Sequence, residues 1–365
     1  MKYVPSAWKV SEVIMIMKPG KSPNEIASYR PISLLPVMSK VYEKLLIKRL
    51  KLIIDKKQLV PGHQFGFRTK HSTIEQVHRL VNIIENTLEE GKVCSAAFLD
   101  VAQAFDRVWH QGLVYKLSKS LPKSYVDIIG SYITNRLFRV KQDGSYSELK
   151  EIHAGVPQGS VLGPLLYVLY TCDIPQPREA TIATFADDTA ILSVGDNAEA
   201  ATKKLQNALE DINTWTKIWK IKLNKNKSVH IDFTNKKNKP VQLVMSNCII
   251  PYANTAKYLG MNLDAKLRWK EHIKKKGEEI KIRTREMNWL IGRKSKLPIH
   301  NKILLYNQII KPIWMYGIQL WGCAKKSNRC VIQRKQNNIL RCMVDAPWYV
   351  RNSIIHKDLS IPEVD

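Results

Sequence analysis

The stretch Ala97-Phe98-Leu99-Asp100-Val101-Ala102-Gln103-Ala104-Phe105-Asp106 places one carboxylate directly after a short apolar run, residues 93–99, and a second six residues later. This run is rich in small residues, which predicts a core strand with its acids at the strand end. A second apolar segment, residues 183–194, is interrupted by Asp187-Asp188. Carboxylates beside buried strands are costly unless they are paired or bind a metal. An ordinary hairpin turn remains the alternative interpretation of Asp187-Asp188.

The composition indicates a folded, cationic protein. Among 365 residues, 58 are Lys or Arg and 32 are Asp or Glu, which gives a net charge of +26. Hydrophobic residues make up 44% of the chain, enough to form a sizeable core and to exclude a mostly disordered basic tail. The length allows about two to three domains. A positive field of this size favours phosphate polyanions, and nucleic acid is the leading partner class.

Hydrophobic periodicity predicts an α+β chain, because helices and strands mix without strict alternation. Extended segments are predicted at 10–17 and from Tyr29 onward, as a hairpin, and at 93–99, 183–187, 189–194, 229–233, 241–245 and 257–263. Helices are predicted at 34–54, at 72–88 with an N-cap at Ser72 or Thr73, at 161–170 and at 199–220, and most of 266–365 is also expected to be helical.

The last 100 residues, 266–365, contain 22 basic and eight acidic residues. A charged run of this kind is usually a solvated face. Aromatic residues interleaved with the charge favour a nucleic-acid groove instead; they are Trp289, Trp314, Tyr316, Trp321 and Trp348.

The six cysteines lie far apart and are interpreted as free thiols in a reducing compartment. Cys323, Cys330, Cys342 and His356 match no standard zinc spacing. No signal peptide is visible. The uncharged stretch 152–172 contains glycines and prolines that argue against a membrane span. We therefore expect a soluble protein without a membrane partner.

Three carboxylates brought together from two strands can hold two Mg²⁺ ions, which prefer carboxylate, water and phosphate oxygens. Two such ions activate a 3′-hydroxyl and stabilise a leaving pyrophosphate. An acidic metal centre in a strongly basic protein therefore suggests nucleotidyl transfer.

Three motifs follow one another along the chain: Phe98-Leu99-Asp100 with Ala104-Phe105-Asp106, the segment 155–164 (Gly-Val-Pro-Gln-Gly-Ser-Val-Leu-Gly-Pro), and Phe185-Ala186-Asp187-Asp188. Their order and spacing resemble motifs A, B and C of reverse transcriptases, in the form found in non-LTR (LINE-type) retrotransposons. Segments 29–35 and 64–68 resemble that group's finger motifs, 223–227 resembles motif D, and 258–260 resembles motif E. Segments 316–322 and 346–350 resemble the jockey-type branch.

The resemblance implies roles for the acids and their neighbours. Asp100 and Asp187 would be the main ligands of both metal ions, with Asp188 as the third acid. Asp106 is assigned to structure rather than to metal. Lys227 is the candidate general acid toward pyrophosphate, although surface lysines are abundant here.

The resemblance also implies a nucleotide-binding set. Phe105 would be the aromatic gate that excludes a ribose 2′-hydroxyl, and a core phenylalanine is the alternative. Gln158 and Gly159 would contact the incoming nucleotide, and a plain turn leading into a helix is the alternative. Lys18 and Arg30 would hold the triphosphate.

By the same resemblance we expect a right-hand polymerase fold. Its fingers would span 1–92, its palm 93–265 with part of the fingers inserted near 112–155, and its basic helical thumb or connection region 266–365. Arg68 is expected to contact the template backbone; Tyr258, Leu259 and Gly260 are expected to support the primer terminus. Because the chain starts just ahead of the fingers, we expect no endonuclease domain, as in a polymerase-region fragment or truncated copy.

The resemblance implies two Mg²⁺ ions as cofactors, with Mn²⁺ as a substitute. The implied partners are an RNA template, a DNA primer, deoxynucleoside triphosphates and an element-encoded RNA-binding protein. The implied location is an intracellular ribonucleoprotein, nuclear and cytoplasmic.

Two other hypotheses stay open at this point. The chain is alternatively a catalytically inactive nucleic-acid-binding remnant, although Asp100, Asp187, Asp188, Gln158 and Phe105 are all intact. An intron-maturase type of reverse transcriptase is the third hypothesis, and the jockey-like C-terminal segments argue against it.

Overall fold

The computed structural model of the protein describes residues 2–236 and 240–364. Within these ranges the helices are α1 (Val37–Lys56), α2 (Thr73–Glu89), α3 (His110–Ser120), α4 (Lys123–Ile133), α5 (Gly163–Thr171), α6 (Ala198–Ile218), α7 (Lys270–Glu286), α8 (Asn288–Ile291), α9 (Ile299–Leu305), α10 (Lys311–Met315), α11 (Ile318–Trp321), α12 (Lys326–Met343) and α13 (Asn352–Asp358). Single turns of 3₁₀-helix span Ser6–Trp8 and Ile26–Ser28, and a π-helical segment spans Tyr306–Ile310.

The strands are β1 (Val10–Met17), β2 (Tyr29–Leu34), β3 (Val93–Leu99), β4 (Arg136–Gln142), β5 (Ser145–Tyr146), β6 (Lys150–Ile152), β7 (Thr181–Phe185), β8 (Asp188–Gly195), β9 (Val229–Phe233), β10 (Val244–Met245), β11 (Cys248–Ile249), β12 (Thr255–Tyr258) and β13 (Met261–Asp264). The mixture of helices and sheets confirms the predicted α+β class.

The first sheet has the strand order β2-β1-β4-β5, with β6 also paired to β4. Strands β1 and β2 are antiparallel, with Met17 opposite Tyr29, which confirms the predicted hairpin. Strand β4 pairs with β1 in parallel. A strand from within 112–155 therefore joins the sheet formed by the start of the chain.

The second sheet has the strand order β7-β8-β3-β9. All residues of β3 are buried, which accounts for its continuous apolar and small-residue composition. Helix α6 packs against β8, and its Leu205, Leu209 and Ile212 share a core with Ile182 and Ile191 of the strands. The apolar run ahead of Asp100 is thus a buried strand, as the sequence predicts.

Helices α1, α3, α4 and α5 share a second core. Its members include Leu46, Leu50, Leu113, Leu117, Ile129 and Leu166. Helix α2 begins with a capping box, in which the Glu75 N–H donates to Ser72 Oγ at 3.1 Å and the Ser72 N–H donates to Glu75 Oε2 at 2.7 Å. This confirms Ser72 as the predicted N-cap.

Two units are distinguished by their internal contacts among the described residues. The first unit comprises residues 2–76, 95–230 and 240–252, and the second comprises 77–94, 231–236 and 253–364. The division into fingers, palm and thumb at the boundaries given above stays a prediction.

The second unit is mostly helical, and its helix α7 packs against α12, α10 and β13. Trp314 and Trp321 are buried in its core, whereas Trp289 and Trp348 are exposed. Part of the aromatic pattern that favoured a nucleic-acid groove therefore reflects ordinary core packing.

Two predicted strands are wrong in detail. Segment 257–263 is not one strand, because Leu259 and Gly260 both have positive φ (44° and 80°) and form the two-residue turn of the β12–β13 hairpin. Of segment 241–245, only Val244–Met245 is a strand. Among the described residues, the helices include none with both the length and the apolar character needed to span a bilayer.

The six cysteines are all free, and they differ in exposure. Cys94 on β3 is fully buried, and burial together with the charge of Asp232 raises the pKa of its thiol to about 12. A thiol that is both inaccessible and protonated is a poor nucleophile.

We predict that Cys94 stays unmodified when the native protein is treated with iodoacetamide, while the exposed Cys248 and Cys323 react. Peptide mass spectrometry checks this, with urea-unfolded protein as the control in which every thiol reacts. Labelling of Cys94 at the same rate as Cys323 in the native protein would contradict its burial.

Candidate active site

Asp100 directly follows the last residue of β3, and the predicted motif D segment holds its backbone. The Asn224 N–H donates to Asp100 O at 2.7 Å, and the Asp100 N–H donates to Ser228 Oγ at 3.3 Å. The Lys227 Nζ atom lies 3.7 Å from Asp100 Oδ2, with 68% of the lysine side chain exposed. The structure therefore brings the predicted general acid next to the first predicted metal ligand.

Asp187 lies in the tight turn between β7 and β8. Phe185 pairs with Asp188 across the hairpin, so that Ala186 and Asp187 are the two turn residues. Ala186 has a φ of 57°, a left-handed conformation that costs an L-residue about 1 kcal/mol or more. The hairpin-turn interpretation and the catalytic one are thus compatible, because the turn itself presents the acid.

Asp100 and Asp187 are electrostatically coupled. Burial raises the pKa of Asp187, a backbone hydrogen bond opposes this increase, and the charge of Asp100 raises the pKa further. Asp188 is exposed on the first position of β8. Within the described ranges no three His, Cys, Asp or Glu side chains are arranged as a ready metal site. The charge of Asp100 therefore reaches Asp187, while Asp188 is exposed at the start of β8.

The amide of Gln64 fixes the Asp187 turn through main-chain contacts. Gln64 Oε1 accepts from the Ala186 N–H at 3.0 Å and from the Gly66 N–H at 2.7 Å. Gln64 is buried, so these bonds are shielded from water. A Cβ atom on Gly66 would lie only 2.2 Å from Ala186 N, so only glycine allows this approach.

Segment 63–65 also lies along β7. The Thr184 N–H donates to His63 O and the Phe65 N–H donates to Thr184 O, both at 3.0 Å. The buried Gln76 amide donates to His63 O at 2.9 Å and to Thr184 O at 3.0 Å. Two buried glutamines therefore tie the predicted finger motif to the strand that carries the Asp187 turn.

The glycines of segment 155–164 pack against two other predicted motifs. Gly155 has a φ of 93°, and a Cβ there would lie 2.7 Å from Asp106 O. Gly159 has a φ of 111°, and a Cβ there would lie 2.8 Å from Ser33 O. The Ser33 N–H donates to Gln158 O at 2.7 Å. Asp106 thus acts here through its backbone, and Gln158 is positioned by β2.

Glu43 on α1 stabilises the start of helix α5. This fully buried carboxylate accepts from the Val161 N–H at 2.7 Å and from the Leu162 N–H at 3.0 Å, both through Oε2. A carboxylate at a helix N-terminus is favoured by the free N–H groups and the helix dipole. Burial lowers the pKa of the Arg136 guanidinium, and the charge of Glu43 raises that pKa again in part.

Phe105 is half-buried and stacks on Tyr167 with 5.1 Å between ring centroids. Phe67 approaches it edge-on at 6.3 Å. Burial raises the pKa of Tyr167, and the charges of Asp187 and Asp188 raise it further, so this stack adjoins the acids. The ring packs on the core, as in the alternative interpretation; its role in sugar selection stays a prediction.

The predicted phosphate-binding cations lie at one end of the β1–β2 hairpin. Lys18 directly follows β1, and Arg30 pairs with Ile16 in the register. Arg68 is different, because its Nη1 donates to Pro61 O at 3.2 Å and to Gln64 O at 3.1 Å. Arg68 thus braces the loop that holds the Asp187 turn, and its contact with template stays a prediction.

Tyr258, Leu259 and Gly260 belong to the second unit, at the tip of the β12–β13 hairpin. The Tyr316 hydroxyl donates to Leu259 O at 2.7 Å, and a Cβ on Gly260 would lie 3.0 Å from the Tyr316 ring. This contact holds the tip in its turn conformation. Support of the primer terminus by these residues stays a prediction.

Sequence reasoning did not assign roles to Gln64, Gln76 and Glu43. Gln64 lies in a quoted family motif, which was a usable signal. In the sequence, Glu43 is one of several charged residues on a predicted amphipathic helix, and no local pattern distinguishes Gln76. Their function depends on partners about 110 to 120 residues away in the chain, so no local signal identifies Glu43 or Gln76.

Residues 16–263 match the family described as reverse transcriptase (RNA-dependent DNA polymerase). The chain belongs to the reverse transcriptase family. This confirms the resemblance inferred from the motifs. Members of this reverse transcriptase family depend on divalent metal ions, and the coupled acids Asp100 and Asp187 fit such an ion, because a cation between them would relieve their repulsion.

The reverse transcriptase relatives include two proteins of Drosophila melanogaster. The chain is 41% identical to the probable RNA-directed DNA polymerase from transposon BS, over 100% of its own length and 41% of that protein. It is 39% identical to the RNA-directed DNA polymerase from mobile element jockey, over 99% of its own length and 40% of that protein. The chain thus spans about two fifths of the length of these relatives.

Among solved structures, telomerase of Candida albicans, solved with the TWJ fragment of telomeric RNA, has a TM-score of 0.52 at 11% identity. The match covers 99% of this chain and 66% of that chain. The likeness concerns the fold alone and confirms the predicted right-hand polymerase fold.

We predict that Gly66→Ala destabilises the protein by about 1 to 3 kcal/mol, because the new methyl group would overlap Ala186 N. Urea unfolding followed by circular dichroism measures this. Gly62→Ala is the matched control, since a Cβ at Gly62 meets nothing within 4 Å. Equal stability of the two variants would contradict the close approach.

We predict a pH-dependent stabilisation by Asp187→Asn in metal-free protein. A raised pKa means that the native state binds this proton more tightly than the unfolded chain, so ionisation of Asp187 destabilises the fold. This destabilisation is absent at pH values below the pKa of Asp187 in the unfolded chain. It reaches its full size at pH values above the pKa of Asp187 in the native protein. Asp187→Asn should therefore raise the melting temperature at neutral pH and not in acid.

Thermal unfolding between acid and neutral pH tests this expectation. Asp196→Asn, at an exposed position nine residues further along, is the control and should show no such trend. A stabilisation by Asp187→Asn that is the same at every pH would argue against a strained carboxylate.

Proposed function

We propose that the protein is an RNA-directed DNA polymerase of a non-LTR retrotransposon that extends a DNA primer on an RNA template. One observation carries this proposal: Asp100 and Asp187, from two separate segments, are electrostatically coupled beside Lys227 in a chain of the reverse transcriptase family. The names of the Drosophila relatives support the same activity.

In this proposal two Mg²⁺ ions, for which Mn²⁺ can substitute, are held by Asp100 and Asp187, with Asp188 as the third acid. Bound there, the ions would activate the primer 3′-hydroxyl and stabilise the leaving pyrophosphate. Lys227 would donate a proton toward pyrophosphate, and its 68% exposure leaves its ammonium free to reorient from Asp100.

The nucleotide would be positioned by residues of the first unit. The Gly159 backbone is exposed beside Gln158, whose carbonyl is fixed by Ser33, so that main chain can approach a base or sugar closely. Phe105, supported by Tyr167, would lie under the sugar and exclude a 2′-hydroxyl. Lys18 and Arg30 would neutralise the triphosphate.

The proposed partners are an RNA template, a DNA primer, deoxynucleoside triphosphates and an element-encoded RNA-binding protein. The net charge of +26 supports binding to nucleic acid. The telomerase of similar fold was solved with an RNA fragment, which supports an RNA partner. We also propose that the protein acts in an intracellular ribonucleoprotein, nuclear and cytoplasmic.

The test is primer extension by the purified chain on poly(rA)/oligo(dT) with Mg²⁺ and dTTP. Asp187→Asn and Asp100→Asn should each lower the rate by about a hundredfold or more, since each removes a ligand that acts in the transition state. Asp196→Asn is the matched carboxylate control and should extend normally. Phe105→Ala should raise incorporation of UTP relative to dTTP.

Fluorescence anisotropy with the same template and primer separates chemistry from binding, and the Asp187→Asn variant should bind nearly as well as the original chain. Full extension by Asp187→Asn would overturn the assignment of the acids. Tight, salt-dependent binding with no extension under any divalent ion would favour the inactive-remnant hypothesis.

A further inference from the structure

Helices α7, α8 and α12 of the second unit surround a groove of about 410 Å³, within the size range of ligand-binding sites. On α7 and α8 the groove is lined by the residues at positions 280, 281, 284, 285 and 288. On α12 it is lined by the residues at positions 335, 338, 339 and 342. These spacings place each set on one helix face. All residues that line the groove belong to the second unit.

The floor of the groove is apolar. Ile280, Ile291 and Ile339 line it, and each is at most 4% exposed. A floor of this kind offers a flat aromatic ligand contact area without unsatisfied polar groups.

The rim of the groove is cationic. Lys281, Arg285 and Lys335 line it. Within residues 2–236 and 240–364, no hydrogen bond or ion pair engages their side chains. Two other cations of α7 are neutralised, since Lys276 pairs with Glu279 and Arg283 with Glu286, each at 2.9 Å.

Three unpaired cations around one concave site favour an anion, and phosphate is the anion that matches a strongly basic protein. The amides of Asn288 and Asn338 also line the groove and are exposed. Amide groups can donate to and accept from the edge of a base.

We propose that this groove binds an unpaired nucleotide of a single-stranded nucleic acid, with its base on the isoleucine floor and its flanking phosphates on the cationic rim. A duplex would leave the floor unused, because the faces of its bases are stacked inside and only base edges and the backbone reach a protein surface. An unstacked base presents both a flat face and a polar edge. This site requires no polymerase activity.

The first test measures binding of fluorescent oligouridine to the full chain by anisotropy. The groove variant Lys281→Gln/Arg285→Gln/Lys335→Gln should weaken binding by about tenfold or more. The control variant Lys274→Gln/Arg283→Gln/Lys326→Gln removes the same charge from the same two helices outside the groove, and should weaken binding less than about threefold. Equal losses would overturn the proposal.

Cys342 provides a local reporter, because this partly exposed free thiol lines the groove. Cys330 lies 12 residues earlier on α12, is also free and partly exposed, and does not line it. Single-stranded RNA should slow alkylation of Cys342 by about fivefold or more and leave Cys330 unchanged. The original sequence is used, so folding of a variant is not at issue.

A comparison of different polyanions identifies the class of ligand that the groove binds. Protection of Cys342 by oligouridine, by the DNA oligomer of the same bases or by both supports the proposal, and their difference reports sugar preference. Equal protection by heparin or by a blunt duplex would overturn it in favour of a site for any polyanion. Protection that depends on protein concentration without nucleic acid would assign the groove to a second copy. These measurements stay informative even if primer extension fails.

Discussion

Two carboxylates that repel one another are held near the same place, and the surrounding structure is organised to keep them there. Asp100 and Asp187 come from segments about 90 residues apart, and the charge of Asp100 contributes to the raised pKa of Asp187. Such repulsion tends to open a site unless the main chain is fixed on both sides. The backbone contacts of 224–228 fix Asp100, and those of Gln64 fix the Asp187 turn.

The contacts that support the site share one feature. In each of them a buried side-chain oxygen accepts a hydrogen bond from a backbone N–H group. Gln64 holds a turn with one left-handed residue, and Glu43 holds the start of α5. A net intramolecular hydrogen bond contributes about 1 kcal/mol, but loss of one partner leaves a buried donor unsatisfied at about 1 to 3 kcal/mol. The rigidity of the site therefore depends on residues that touch no substrate in the proposed reaction.

Charge is distributed differently in the two units. In the first unit Asp100 and Asp187 form a local acidic site, where a cation would relieve their repulsion. In the second unit most of the excess positive charge lies on helices, some of it neutralised along α7 and some gathered unpaired around a groove. This contrast links the proposed chemistry to the first unit and the proposed single-strand binding to the second.

Much of the local structure was determined by the sequence itself. The limits of β1, β3 and β9, the capping box at Ser72 and the acid-bearing hairpin follow from periodicity, capping and turn chemistry, which act over a few residues. The motifs alone also predicted Asp100 and Asp187 as candidate metal ligands. Periodicity did not predict the turn at Leu259-Gly260, because a leucine with positive φ resembles a strand residue in sequence.

Only the tertiary structure decided which residues support the site. Gln64 meets Ala186, Glu43 meets the start of α5, and Gly66 must be glycine because another chain segment passes it. The groove of the second unit likewise exists only when α7 and α12 pack together. These contacts join residues far apart in the chain. The spacing of hydrophobic residues predicts which face of a helix or strand is buried, but it does not predict which segment packs against that face.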